Sequence, residues 1–173
     1  MKKEAIEVLM NRRSIRKFKS EQITDAELLT VLDAGTYAPT GRNMQTPWII
    51  AVQNKEERDA VSKLNAQVMG SDKDPYYGAP TIIIVVAPDD IFGTLNSASV
   101  LTNMVNAAYA AGLGSCWIHR PEQMFQTEEG KAMLAKWGIP EGMKGVGSIA
   151  LGYADMEQPT APPRKENYYR IIK

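Results

Sequence analysis

The run TIIIVVA, residues 81–87, constrains the fold more than any other part of the chain. Its successive β-branched residues, Thr81, Ile82, Ile83, Ile84, Val85 and Val86, favour an extended backbone. A strand with one wet face alternates apolar and polar side chains. This run has almost no polar relief, which predicts a strand covered on both faces. The next stretch, residues 91–118, carries no formally charged side chain. Asn96, Ser97, Ser99, Thr102, Asn103 and Asn106 interrupt it too often for a passage through hydrocarbon. It predicts a helix over residues 94–111, buried on most sides by protein. Ala98, Leu101, Val105 and Ala108 form one stripe, and small residues permit close helix packing.

The remaining elements follow from periodicity and caps. Ile6, Leu9 and Met10 predict a first helix over residues 3–11. Thr24 and Glu27 spell a capping box for a second helix running to Gly35. YAPTGRNMQTP, residues 37–47, reads as a loop, and WIIAVQ, residues 48–53, as a strand. Asn54 with Glu57 marks the cap of a third helix over residues 55–68, followed by a polar loop with two adjacent tyrosines. GSCWI, residues 114–118, predicts a short strand, and one helix follows Pro121 as far as Gly138. Residues 144–153 predict a fourth strand, in which Gly145 and Gly147 allow close backbone approach. Prolines in the tail, residues 155–173, favour an extended arm of roughly 3 Å per residue. Tyr168, Tyr169, Ile171 and Ile172 beyond them need a surface, which a second subunit could offer. The pattern permits either a doubly wound sheet or an α+β layer fold.

With 173 residues the chain fits a single domain, residues 1–173, and can bury a substantial core. Twenty basic and twenty acidic residues cancel, which argues against a protein that coats nucleic acid. One cysteine, Cys116, and one histidine, His119, leave no intrachain disulfide and no cysteine- or histidine-rich metal site. The N-terminus lacks the apolar run of a signal peptide, so a reducing, cytoplasmic setting is expected.

Against this neutral background, NRRSIRKFKS places Arg12, Arg13, Arg16, Lys17 and Lys19 within eight positions. If residues 12–16 are extended, Arg12, Ser14 and Arg16 share one face, and Ile15 and Phe18 anchor the segment. Arginine forks and a hydroxyl suit a phosphate; a solvated basic patch is the competing reading. Arg164 and Lys165 follow PTAPP and read either as exposed tail charges or as a second anion clip. Asn43 and Gln45 can each donate and accept toward a heteroaromatic edge, or simply belong to a turn. Cys116 reads as a core filler more than a nucleophile. No GxGxxG, GxxxxGK[ST] or GxSxG motif is present.

In their order and spacing, RRSIRKF, APTGRNMQTPW, YGAPTIIIV, GLGSCWI, GSIALGY and PPRK resemble the FMN-dependent nitroreductase family in its short single-domain form. The resemblance spans residues 12–165. It implies an α+β fold, a helix-flanked, mostly antiparallel sheet in an intertwined homodimer with exchanged C-terminal arms and two FMN sites at the interface. Arg12, Arg13 and Ser14 then match positions that hold the FMN phosphate and ribityl chain, and Arg16 matches the cation beside the N1/O2 edge. Pro39, Thr40, Gly41 and Asn43, with Gln45 close by, match a loop from the other subunit. The backbone N–H of His119 falls where the family aims a donor at flavin N5, with Arg120 following. Arg164, helped by Lys165, matches the C-terminal phosphate contact. Tyr76 and Tyr77 are candidate substrate-pocket aromatics.

The implied activity is NAD(P)H-dependent reduction of a small acceptor, such as a nitroaromatic or quinone, in two alternating half-reactions through the flavin. The competing expectations are a non-catalytic FMN-binding module, another flavin chemistry such as reductive dehalogenation, and a nucleic-acid-binding protein built on the Arg12 cluster. Neutral charge weighs against the last.

Overall fold

The computed structural model describes residues 4–173. Helices α1 (Ala5–Asn11) and α2 (Asp25–Thr36) are followed by a loop, strand β1 (Trp48–Val52) and helix α3 (Lys55–Met69). Then come β2 (Thr81–Pro88), α4 (Ile91–Ala110), β3 (Gly114–Ile118), α5 (Pro121–Gln126), α6 (Glu128–Lys136) and β4 (Met143–Gly152). The four strands form one sheet in the order β1-β2-β4-β3, every neighbouring pair antiparallel. The choice that pattern left open is therefore an α+β layer fold. Residue 3, where the first helix was expected to begin, lies outside the described residues.

The β-branched run becomes β2, one of the two inner strands, with all of residues 81–87 buried. Because side chains alternate across a strand, its residues divide between two cores. Ile82, Ile84 and Val86 join Val61 and Leu64 of α3, Met124 and Phe125 of α5, and Met133 and Leu134 of α6. Ile83 and Val85 join Val31 of α2 and Val100, Leu101, Met104, Val105 and Ala108 of α4. The uncharged helix thus covers one face of the sheet. It starts three residues earlier than expected, because the Asp90 carboxylate accepts from the Gly93 N–H and caps it. Among the described residues no helix is long and apolar enough to cross a membrane.

The other caps are as read. Thr24 and Glu27 bond reciprocally at the start of α2, and Asn54 accepts from the Glu57 N–H at the start of α3. The single helix expected after Pro121 is instead two. Thr127 is extended (φ −74°, ψ 155°), gives its hydroxyl proton to the Met124 carbonyl and accepts from the Gly130 N–H. It closes α5 and caps α6.

Both glycines of β4 are close-approach positions. A Cβ on Gly145 would lie 2.4 Å from the Pro121 carbonyl, and one on Gly147 would lie 2.7 Å from both Leu101 Cδ1 and Trp117 Nε1. The first contact seats the start of α5 on the sheet just after His119 and Arg120.

Residues 155–173 form no helix or strand, and Tyr168, Tyr169, Ile171 and Ile172 are exposed on the isolated chain. The base of this arm is tied down beside the basic segment. Phe18 pairs with Ala154, the Asp155 N–H donates to the Lys17 carbonyl at 3.0 Å, and Gln158 donates to the Asn11 carbonyl at 2.9 Å.

The polar loop after α3 is organised by one carboxylate. Asp74 accepts from Arg58 at 2.5 Å, Ser62 at 2.6 Å, and the N–H groups of Tyr76 and Gly78 at 2.8 Å each. Burial pushes this carboxyl up, but the four donors together hold it below the ordinary aspartate value. A depressed folded pKa adds stability above the unfolded value, about 3.9, and that stability is lost as pH falls through the folded value. Asp74→Ala should lower the unfolding free energy by about 1–3 kcal/mol at neutral pH, the cost of orphaning buried donors. Its stability should also fall less steeply than wild type on acidification, as read by urea titration across pH.

Candidate functional site

The segment after α1 is extended and attached to the edge strand β3, with the Ile15 N–H donating to the Ser115 carbonyl at 3.0 Å. Ile15 and Phe18 enter the core as expected. Alternation then places Arg12, Ser14 and Arg16 around one point, the Cys116 thiol. Burial pushes that thiol up, while Arg16, a hydrogen bond from Ser14, and Arg12 pull it back. The net shift is upward, so Cys116 is a buried core thiol and no nucleophile.

Arg12 is half-buried. Burial and then the charge of Arg13 lower its pKa, offset in part by Cys116. Of the five cations from Arg12 to Lys19, only Lys17 meets a carboxylate among the described residues, Asp155 at 2.7 Å. Arg13 is used differently. Its guanidinium donates to the carbonyls of Met10 (2.9 Å) and Arg12 (2.5 Å), closing the C-terminal end of α1. The structure therefore groups Arg12, Ser14 and Arg16 and separates the Arg13 side chain from them.

The loop before β1 is shaped before any ligand arrives. The Gly41 N–H donates to Asn96 Oδ1 at 2.8 Å, the Gln45 N–H to Thr40 Oγ1 at 3.2 Å, and Gln45 Nε2 to Asn43 Oδ1 at 3.0 Å. That last bond leaves the Asn43 –NH₂ and the Gln45 carbonyl as the second ends of the two amides. Arg42, Asn43 and Gln45 all have positive φ, near 50°, a conformation L-residues hold only when their surroundings impose it. Pro39 is exposed beside them. This loop leads into β1, whereas Arg12, Ser14 and Arg16 adjoin β3. These are opposite edges of the sheet, roughly 14 Å apart at three strand spacings. One chain does not bring the two groups together.

Arg164 and Lys165 lie on the exposed arm, lining a groove with Asn167, Tyr168 and Tyr169. Arg12 does not line that groove.

Beyond β3, His119 and Arg120 turn the chain into α5. Arg120 has φ 82°, in the left-handed region, and its Nε donates to Asn65 Oδ1 at 2.9 Å. Asn65 Nδ2 donates to the His119 carbonyl and to the Tyr76 hydroxyl, each at 3.1 Å. Tyr76 contradicts the expectation of a substrate-pocket aromatic. It is fully buried, because the Asp74 loop folds it under the sheet, and burial pushes its phenol up so that it stays a neutral donor. Tyr77, next to it, is 39% exposed and stays at the surface. Sequence reading passed over Asn65. The available signal was its place on the apolar stripe of α3, four residues after Val61, where an amide needs buried partners.

Thiol reagents should leave the native chain unmodified and titrate one thiol per chain after unfolding, because Cys116 is 3% exposed with a raised pKa. Rapid labelling of folded protein would contradict this geometry.

The nitroreductase family profile matches residues 9–153. A protein of Archaeoglobus fulgidus with the provisional name NADH dehydrogenase/NAD(P)H nitroreductase is 28% identical over 165 residues, 90% of this chain and 88% of its own length. The NADPH-flavin oxidoreductase of Vibrio harveyi is 27% identical, over 92% of this chain and 69% of its own. A nitroreductase from Bacteroides fragilis, solved with bound FMN, is 30% identical and superimposes with a TM-score of 0.87 over 99% of this chain and 100% of its own. A profile match over most of the chain and this agreement in fold have one meaning: the chain belongs to the nitroreductase family.

Proposed function

We propose that this protein is a homodimeric FMN oxidoreductase that takes electrons from NAD(P)H and passes them to a small acceptor. The carrying observation is Arg12, a half-buried guanidinium beside Ser14 and Arg16 with no carboxylate partner among the described residues. Burial disfavours its charge, so a bound anion would relieve a cost already built into the fold. The donor set fits FMN. Arg12 and Ser14 suit its phosphate and Arg16 the ring edge where charge collects on reduction. When bound, FMN would supply the redox chemistry, accepting hydride at N5 and yielding electrons to a nitroaromatic, quinone or similar acceptor.

The chain's own residues bind, orient and shelter. A second copy would bring Pro39, Thr40, Gly41, Asn43 and Gln45 to the site, since one chain holds this loop at the opposite sheet edge from Arg12. The same copy's arm would bring Arg164 and Lys165. Exposed Ile6, Leu9 and Met10 of α1, Ile91 and Leu95 of α4, and Ile171 and Ile172 of the arm give such a dimer apolar surface to cover. The backbone N–H of His119 would face N5. Tyr77 remains a candidate for the pocket rim. The proton for acceptor reduction would come from water.

Purified protein should be yellow, bleach with NAD(P)H in the absence of oxygen, and recover on addition of acceptor. Colourless protein that cannot be loaded with FMN would refute the proposal, and loaded protein that no NAD(P)H reduces would leave only a flavin-binding module. Arg12→Ala should raise the FMN dissociation constant roughly 10- to 100-fold, the value of a charged hydrogen bond of about 1.5–3 kcal/mol. Arg16→Ala should retain more of the binding and lower the two-electron potential by about 40–65 mV. By sedimentation, the wild-type protein should have twice the chain mass, and removal of residues 155–173 should weaken both dimer and FMN retention. A monomer that holds FMN tightly would rule out the shared site.

A further inference from the structure

Behind the His119–Arg120 turn lies a set of polar groups with every proton assigned. Ser148 donates its one hydroxyl proton to the Ile118 carbonyl at 3.2 Å. With that proton on Ile118, the Tyr76 hydroxyl donates at the 3.0 Å contact with Ser148 in preference to the Met124 sulfur at 4.0 Å. Asn65 uses one amide hydrogen on the Tyr76 hydroxyl and the other on the His119 carbonyl, while its Oδ1 accepts from Arg120 Nε. Asn65, Tyr76 and Ser148 are all 0% exposed, so none of these bonds competes with water.

The arrangement has a directional consequence. Two successive carbonyls, Ile118 and His119, are held from the same side by donors that both touch the Tyr76 hydroxyl. The chain contains no cis peptide among its described residues. In a trans peptide the N–H points opposite to the carbonyl. The N–H groups of His119 and Arg120 are therefore both turned away from the buried cluster, toward the outer side of the turn. Arg120 itself is left-handed (φ 82°) and turns the chain after this pair into α5. Such a residue is strained, and it persists where its surroundings over-determine it.

We infer that Asn65, Tyr76 and Ser148 are positioning residues that aim the paired His119 and Arg120 N–H groups at the N5 and adjacent carbonyl edge of the flavin. This rests on FMN being the ligand. Two adjacent donors match two adjacent ring acceptors, and both draw electron density from the atom that receives hydride. None of the three side chains can touch the ring, since all are fully buried; they act through the backbone.

The test uses Tyr76→Phe and Ser148→Ala, each removing one hydroxyl at nearly constant volume, with Ile83→Val on the other face of the sheet as a control for general loosening. In FMN-free protein, amide order parameters of His119 and Arg120 should fall in both variants from the rigid range near 0.85 toward about 0.6, and stay unchanged in the control. In loaded protein, FMN affinity should change less than about threefold, because the phosphate clip is intact, while single-turnover flavin reduction by excess NADH should slow on the order of tenfold, as for one misaligned donor. Unchanged order parameters and unchanged reduction rate in both folded variants would overturn the inference, as would equal losses in Ile83→Val. Should wild-type protein take up no FMN, the flavin reading falls. The order parameters would then still decide whether these residues hold the two N–H groups.

Discussion

Burial of β2 on both faces ties the rest of the molecule together. Alternating side chains of one strand feed two separate cores, so α3, α5 and α6 are fixed on one side, and α2 and α4 on the other, by five successive residues, 82–86. An inner strand of this kind cannot slip in register, since a one-residue shift would exchange the members of both cores. Edge strands β1 and β3 inherit that rigidity through the sheet, and the candidate site residues adjoin those edges.

The charge distribution of the site runs against folding stability. Arg12 and Arg16 stand near a buried thiol, with Arg13 next to Arg12, and the surrounding fold answers none of the three with a carboxylate among the described residues. Arg13 partly compensates by closing the end of α1. Arg12 does not, and its lowered pKa reports the cost. Asp74 is the contrasting case. It has comparable burial, but its four donors leave it fully answered and make it a structural carboxylate. The unanswered half-buried charge, and not the answered one, is the candidate for binding an anion.

The distance between the loop at β1 and the cations at β3 bears on assembly. The two candidate groups stand at opposite edges of one sheet, and in the proposed dimer a second chain would supply one of them to a shared site. The exposed apolar residues of α1, α4 and the arm belong to the same reading, because isolated they would face water.

Much of this was legible in the sequence, for reasons of short range. The β-branched run, the Thr24–Glu27 and Asn54 caps, the close-approach glycines of β4 and the alternation of Arg12, Ser14 and Arg16 all depend on residues a few positions apart, and local sterics and hydrogen bonding determine them. The break between α5 and α6 was missed because Thr127 can continue a helix or cap one, and packing of α5 on the sheet selects the cap. Arg13 read as a ligand cation, yet its choice between a phosphate and the carbonyls of α1 depends on where the chain turns. Tyr76 read as a pocket aromatic, yet its partners Asn65 and Ser148 lie 11 and 72 positions away. Residue types and spacing determined which elements form and which side chains could meet an anion. Tertiary structure alone decided which polar groups were buried together, because the free energy of a buried hydrogen bond depends on partners that the folded chain brings from distant positions.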